Sequence, residues 1–255
     1  HADDDRYLVR PGLLADKKQR RVTVWGAATE LNDNDPVEFL AIHADSGKTY
    51  ESLAISFAKP SDVHAALTFL GMEPGEPVDY PDLRFWPKGE RVSMTFHWDN
   101  NNGRARSASA FKLLRNMTTG EPRAETGLMF VGSVVRERDG ERVYAADVAD
   151  GMSIASTYNE PTTVLDVPRQ APQGTVYGRY KPNPDRRLAA GTPLTITLQP
   201  RRPADKPRVR DLRLIIKPAP GPADQDQPAH DALLDADDQA DGKPGDPRHE
   251  KPTLV

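Results

Sequence analysis

Hydrophobic and polar positions are patterned most plainly over residues 37–71. Val37, Phe39 and Ala41 alternate with their neighbours, and a second run over residues 50–57 follows the turn residues Asp45-Ser46-Gly47-Lys48. Alternation, turn and a second run predict a β-hairpin. After Pro60 the period changes: Val63, Ala66, Leu67 and Leu70 fall at i, i+3, i+4 and i+7, which makes one apolar face of a helix. Proline suits the first helical turn because its missing N–H would be unpaired there, Asp62 places negative charge near the positive helix end, and Gly71 supplies a left-handed stop.

The rest of the chain reads as short strands. Val22, Val24 and Trp25 predict one, entered through the basic run Lys17-Lys18-Gln19-Arg20-Arg21 and closed by the turn cluster at residues 32–36. Residues 72–90, rich in proline, glycine and acids, form a loop in which Phe85 and Trp86 are the expected anchors. Val92, Met94 and Phe96 alternate with Ser93, Thr95 and His97, a half-buried strand with His97 on its polar side. The following Asp99-Asn100-Asn101-Asn102-Gly103 resembles a calcium loop but is a turn, because the glycine comes one position early and Ala110 stands where the bidentate acid belongs. Segments 128–135 and 142–147 flank Asp139-Gly140, a hairpin signal in which Gly132 and Ser133 fall inside a strand. Runs at 152–155, 164–167, 175–177, 194–198 and 209–216 continue the β pattern. The expected fold is therefore α+β and β-rich, mostly antiparallel sheet with one or two short helices. It spans residues 7–217, after a flexible stretch at 1–6.

Composition changes the picture at the C-terminus. Residues 218–255 are proline, aspartate, glutamine and alanine with almost no large apolar side chains, too little to offset the entropy of ordering, so a disordered acidic tail is expected. From Lys217 onward there are nine acids and four bases, so the chain's net charge of −4 leaves the body nearly neutral. A neutral body offers no broad basic field for nucleic acid. No apolar run reaches the length of a membrane span. The absence of cysteine removes disulfides, thiolate nucleophiles and cysteine metal sites. Neither a G-x-S-x-G elbow nor a phosphate-binding glycine loop is present, which argues against serine hydrolases and nucleotide enzymes. The first residue is His1 and the next few are polar, which we read as a processed terminus left by a secretory signal, placing the protein outside the cytoplasm, in the periplasm or secreted.

Candidate chemistry is sparse. If His1 is a mature terminus, its α-amine and imidazole could chelate copper, with His43, His64 or His97 completing a three-nitrogen set suited to Cu(II). His64 sits beside the apolar face of the predicted helix and reads as a rim residue. In the predicted hairpin, Glu38, Glu51 and Ser52 are the polar residues of interest. On a strand, Glu51 and Ser52 would face opposite ways, so only one could share a cleft with Glu38. A carboxylate facing inward would need a hydrogen bond or a cation.

Several pieces, in order, resemble the YdjY-like domain of bacterial secreted or envelope-associated proteins. They are Val37-Glu38-Phe39-Leu40-Ala41, then Gly47-Lys48-Thr49-Tyr50-Glu51-Ser52-Leu53, then Pro60 through His64 to Gly71. Further along come Phe130-Val131-Gly132-Ser133, Tyr144-Ala145-Ala146-Asp147 with Gly151, and Asn159-Glu160-Pro161. Tyr50 stands where the resemblance leads us to expect a histidine. The resemblance implies an extracytoplasmic β-rich domain and carries over no catalytic residue or cofactor. The resulting expectation is a binding or structural module for an unknown protein or small-molecule ligand. The alternative is a copper- or other metal-binding protein, or a metal-dependent enzyme, using His1 and a second histidine.

Overall fold

The computed structural model describes residues 5–100 and 102–201. The chain divides into a unit of residues 1–208 and another of 209–255, and every described residue belongs to the first. His1, the expected strand at 209–216 and the acidic tail lie outside the described residues.

Three antiparallel strands open the fold, Tyr7–Arg10 (β1), Leu13–Asp16 (β2) and Arg21–Ala28 (β3), followed by Phe39–His43 (β4), Ala54–Ser56 (β5) and the helix Pro60–Phe69 (α1). The chain continues through Glu90–Asp99 (β6), Ala105–Ser109 (β7), Leu114–Asn116 (β8), Leu128–Phe130 (β9), Val135–Arg138 (β10) and Glu141–Tyr144 (β11). A one-turn helix Ala145–Val148 (α2), strands Ser153–Ser156 (β12) and Thr163–Asp166 (β13), a second one-turn helix Gln173–Val176 (α3), Tyr180–Pro182 (β14) and Pro193–Pro200 (β15) complete it.

The main sheet runs β3, β15, β6, β9, β13, β12, β4, β5, and β5 pairs back to β3, so these strands close into a ring. Only β12 with β13 and β4 with β5 are parallel within it. Closure removes free edges from the ring itself, while β1, through β2, and β7 extend the same sheet from it. The inner positions alternate as the pleat requires: Val22 and Val24 on β3, Met94 and Phe96 on β6, and Ile196 and Leu198 on β15 are all buried. Each such side chain contributes about 1.5–3 kcal/mol by leaving water. Helix α1 buries Val63, Ala66 and Leu67 and packs on β2, β12 and β13, the face that its spacing predicts.

The expected hairpin over residues 37–57 is not formed. Strands β4 and β5 pair in parallel, with Ile42 opposite Ile55 and His43 opposite Ser56. The reason is local: Thr49–Glu51 coil into a 3-10 turn, so the chain comes back beside the start of β4 and then runs the same way. Backbone bonds fix this arrangement, from Glu38 N to Glu51 O at 2.8 Å and from Leu53 N to Phe39 O at 3.0 Å. Nor does β4 alternate between core and solvent, since all five of its residues are buried. Of the run 175–177 read as strand, Thr175 and Val176 instead belong to the helix α3. Gly132 and Ser133 lie in the loop between β9 and β10, both at positive φ (77° and 57°), not in a strand. Phe85 and Trp86 are 36% and 54% exposed, so they do not anchor their loop; Met72 and Val78, each 1% exposed, are buried there instead. The Asp139-Gly140 hairpin forms as expected between β10 and β11.

Candidate functional site

A cavity of about 570 Å³ opens where six separate pieces of chain meet. The residues just before and at the start of β4 supply Glu38 and Phe39, and the 3-10 turn with its approach supplies Lys48, Tyr50 and Glu51. The segment between α2 and β12 adds Asp150 and Gly151, and the turn between β12 and β13 adds Tyr158 and Glu160. Gln173 and Tyr177, at the two ends of α3, and Arg136 from β10 complete the rim. Aromatic rings therefore line a cavity whose polar groups are mostly acidic. Phe39 and Tyr158 meet edge to face at 5.8 Å, which stiffens the wall behind the carboxylates.

Glu38 is 3% exposed. Its Oε2 accepts a hydrogen bond from Gln173 Nε2 at 2.9 Å, and its Oε1 is enclosed with no partner. Burial lifts its carboxyl above the ordinary range; the Gln173 bond opposes this, and the charge on Glu51 adds to it. Glu160 repeats the pattern. Thr162 Oγ1 donates to its Oε1 at 2.7 Å, Oε2 is enclosed without a partner, and burial pushes the carboxyl up to about 7, with the charge on Glu38 contributing. Glu51, 4% exposed, is different because a cation faces it: Lys48 Nζ lies 3.6 Å from its Oε1, 3.4 Å from Asp150 Oδ2, and donates to Tyr50 Oη at 3.0 Å. The Tyr50 hydroxyl and the two acids hold the Lys48 ammonium well above its ordinary range. Burial, with the nearby acids, raises the Tyr158 phenol too, so it stays protonated at the cavity wall.

The structure brings Glu38 and Glu51 to this one cavity and leaves Ser52 out of it. Ser52 does not project from the opposite face of a strand. It follows the 3-10 turn, is fully buried, and donates from Oγ to Ala54 O at 3.0 Å. The histidines occupy separate elements with separate partners. His43, buried at the end of β4, accepts at Nδ1 from Asp45 N at 3.3 Å. His64, on α1, bonds through Nδ1 to Gly132 O at 3.1 Å, packs edge-on against Phe130, and has its pKa lowered by burial. His97 pairs with Thr197 Oγ1 at 3.0 Å on the outer face of the sheet. Among the described residues no three His, Asp or Glu side chains are grouped to hold a metal ion.

Sequence reasoning missed Glu160, Lys48 and Gln173. Glu160 lay in plain view within Asn159-Glu160-Pro161, a piece of the family resemblance, and Lys48 was read as a hairpin turn residue. Four of the resemblance pieces, those containing Glu38, Glu51, Gly151 and Glu160, meet at this cavity, although they are separated by up to about 120 residues in the chain. No curated protein and no solved structure matches the chain. The family model described as the YdjY domain matches residues 13–199, and on that match the chain belongs to the YdjY domain family.

Proposed function

We propose that this protein is a secreted or envelope-associated binding module that takes a small-molecule ligand in the cavity around Glu38. The observation that supports the reading is the carboxyl group of Glu38, a residue that lines the cavity: it is 3% exposed, with one oxygen held by Gln173 and the other enclosed without a partner. Enclosing such a group without a partner costs on the order of 1–3 kcal/mol or more. A ligand that reaches the free oxygen removes that cost, and the rest of the cavity has the aromatic walls and few convergent polar groups of small-molecule sites.

A mixed library of cationic, neutral and anionic fragments, screened by ligand-observed NMR, tests the proposal. Hits are expected on the unmodified protein and should vanish in Asp150→Trp, because the Asp150 side chain is 82% exposed at the mouth and an indole there closes it. A library in which no fragment distinguishes the two proteins would end this reading. Location outside the cytoplasm rests on what the family resemblance implies, and fractionation of cells making the full-length gene product checks it. Recovery in the cytosol would refute that part.

A further inference from the structure

Resting on the reading of the cavity as a ligand site, the geometry points to an organic cation, an ammonium or amidinium group carried on a flat or cyclic body, seated between the Glu38 and Glu160 carboxyl groups. Glu38, Glu51, Asp150 and Glu160 line the cavity against Lys48 and Arg136. Lys48 is already shared by Glu51, Asp150 and the Tyr50 hydroxyl, so it is committed at the side of the cavity. That leaves the two inner acids, each with one oxygen anchored, by Gln173 or Thr162, and the other enclosed and unpartnered. Both orphan atoms are oxygens of carboxyl groups, and at neutral pH an ionised carboxylate only accepts hydrogen bonds. Their complement is a donor with several N–H groups and a positive charge.

The walls select the kind of cation. No three acids or histidines are grouped for metal coordination among the described residues. Phe39, Tyr158 and Tyr177 give the cavity aromatic surface, which attracts an organic cation through ring quadrupoles and buries its carbon body. The cavity, about 570 Å³, is in the range of small-molecule sites and far larger than a single ammonium needs. Burial and mutual repulsion that favour the protonated acids when the site is empty are relieved when the cation arrives, so binding displaces protons. Around the cavity the charged groups that enter this balance with Glu160 are Glu38, Glu51, Asp150, Lys48 and Arg136, and behind it lies the buried carboxyl of Asp166, whose charge also acts on Glu160.

Two pairs of near-isosteric probes test this by isothermal titration calorimetry on the full chain: benzamidinium against benzamide, and cyclohexylammonium against cyclohexanol. The cation of at least one pair is expected to bind at least tenfold more tightly than its neutral partner, with affinity rising from pH 5.5 to 8 and protons released near pH 6. Glu38→Gln and Glu160→Gln, which keep shape and remove charge, should each weaken the cation at least tenfold and weaken the neutral partner by a much smaller factor. Thermal melting of each variant confirms folding. Equal binding of cation and neutral partner, or undiminished cation binding by both variants, overturns the inference, as does failure of both cations to bind at millimolar concentration. If library fragments still bind and are lost in Asp150→Trp while these cations fail, the cavity remains a ligand site and only the cation assignment falls.

Discussion

Asp166 has no surface exposure, accepts from Val167 N at 2.6 Å and Asn159 Nδ2 at 3.1 Å through Oδ1, and has its Oδ2 enclosed without a partner. Burial pushes its carboxyl up to about 8, from an ordinary value of 3.8. Between those values the folded protein holds a proton that the unfolded chain releases, so this group's contribution is fullest below about pH 4 and is lost as pH rises through 8. Asp166→Asn fixes the neutral form. Its stability relative to the unmodified protein should increase from pH 5 to pH 9 by on the order of 1–3 kcal/mol, read from urea unfolding at each pH. Glu160 carries the same sign over a narrower window, from 4.5 to about 7, so Glu160→Gln should gain relative stability between pH 5 and 8. A flat pH difference for either variant would contradict these assignments. Neither burial was legible in the sequence. Asp166 occupies what reads as the polar position of an alternating strand, yet all four residues of β13 are buried. That burial comes from neighbours on both sides of β13, the adjacent β12 and the more distant β9.

Local period made several elements readable. The helix α1 was legible because its apolar spacing and Pro60 are local signals, and β6 because its alternation survives in a strand with one solvated side. The β4–β5 pair was not, since a parallel pairing has no local signature and its connection looks like a hairpin turn until residues 49–51 are seen to coil. The pairing that closes the ring is equally hidden. It depends on Gly26 in β3: a Cβ there would stand 2.0 Å from the carbonyl oxygen of Ile55 in β5, a distance that no side chain tolerates. Gly26→Ala must push β5 away and open the ring, and we expect a loss of about 2–4 kcal/mol in urea unfolding, with faster hydrogen exchange at Ser56 and Ala54. Retention of full stability would show that the two strands are not held at this separation.

At the scale of the whole molecule, apolar residues over 209–216 predict a last strand, which lies outside the described residues, and the unit that contains the ring and the cavity comprises residues 1–208. Ending the chain after Arg208 should leave the melting temperature within about 2 °C and leave fragment binding unchanged. A larger drop would mean that the segment after 208 belongs to the fold as the pattern predicts. The candidate site was half legible at this scale. Glu38 and Glu51 stand out as charges beside apolar runs, but their convergence with Glu160 depends on β12 pairing with β4, which brings the turn after β12 beside the start of β4.

The cavity's aromatic lining also decides how it can be observed. Its rings are Phe39, Tyr50, Tyr158 and Tyr177, whereas none of the chain's three tryptophans, Trp25, Trp86 and Trp98, lines it. Indole emission will therefore carry little information about occupancy, and a titration followed at tryptophan wavelengths would read as silence. The amide of Glu38, bonded to Glu51 O at 2.8 Å, joins two walls of the cavity through one N–H. Its NMR resonance is a built-in reporter placed where a guest would be felt first.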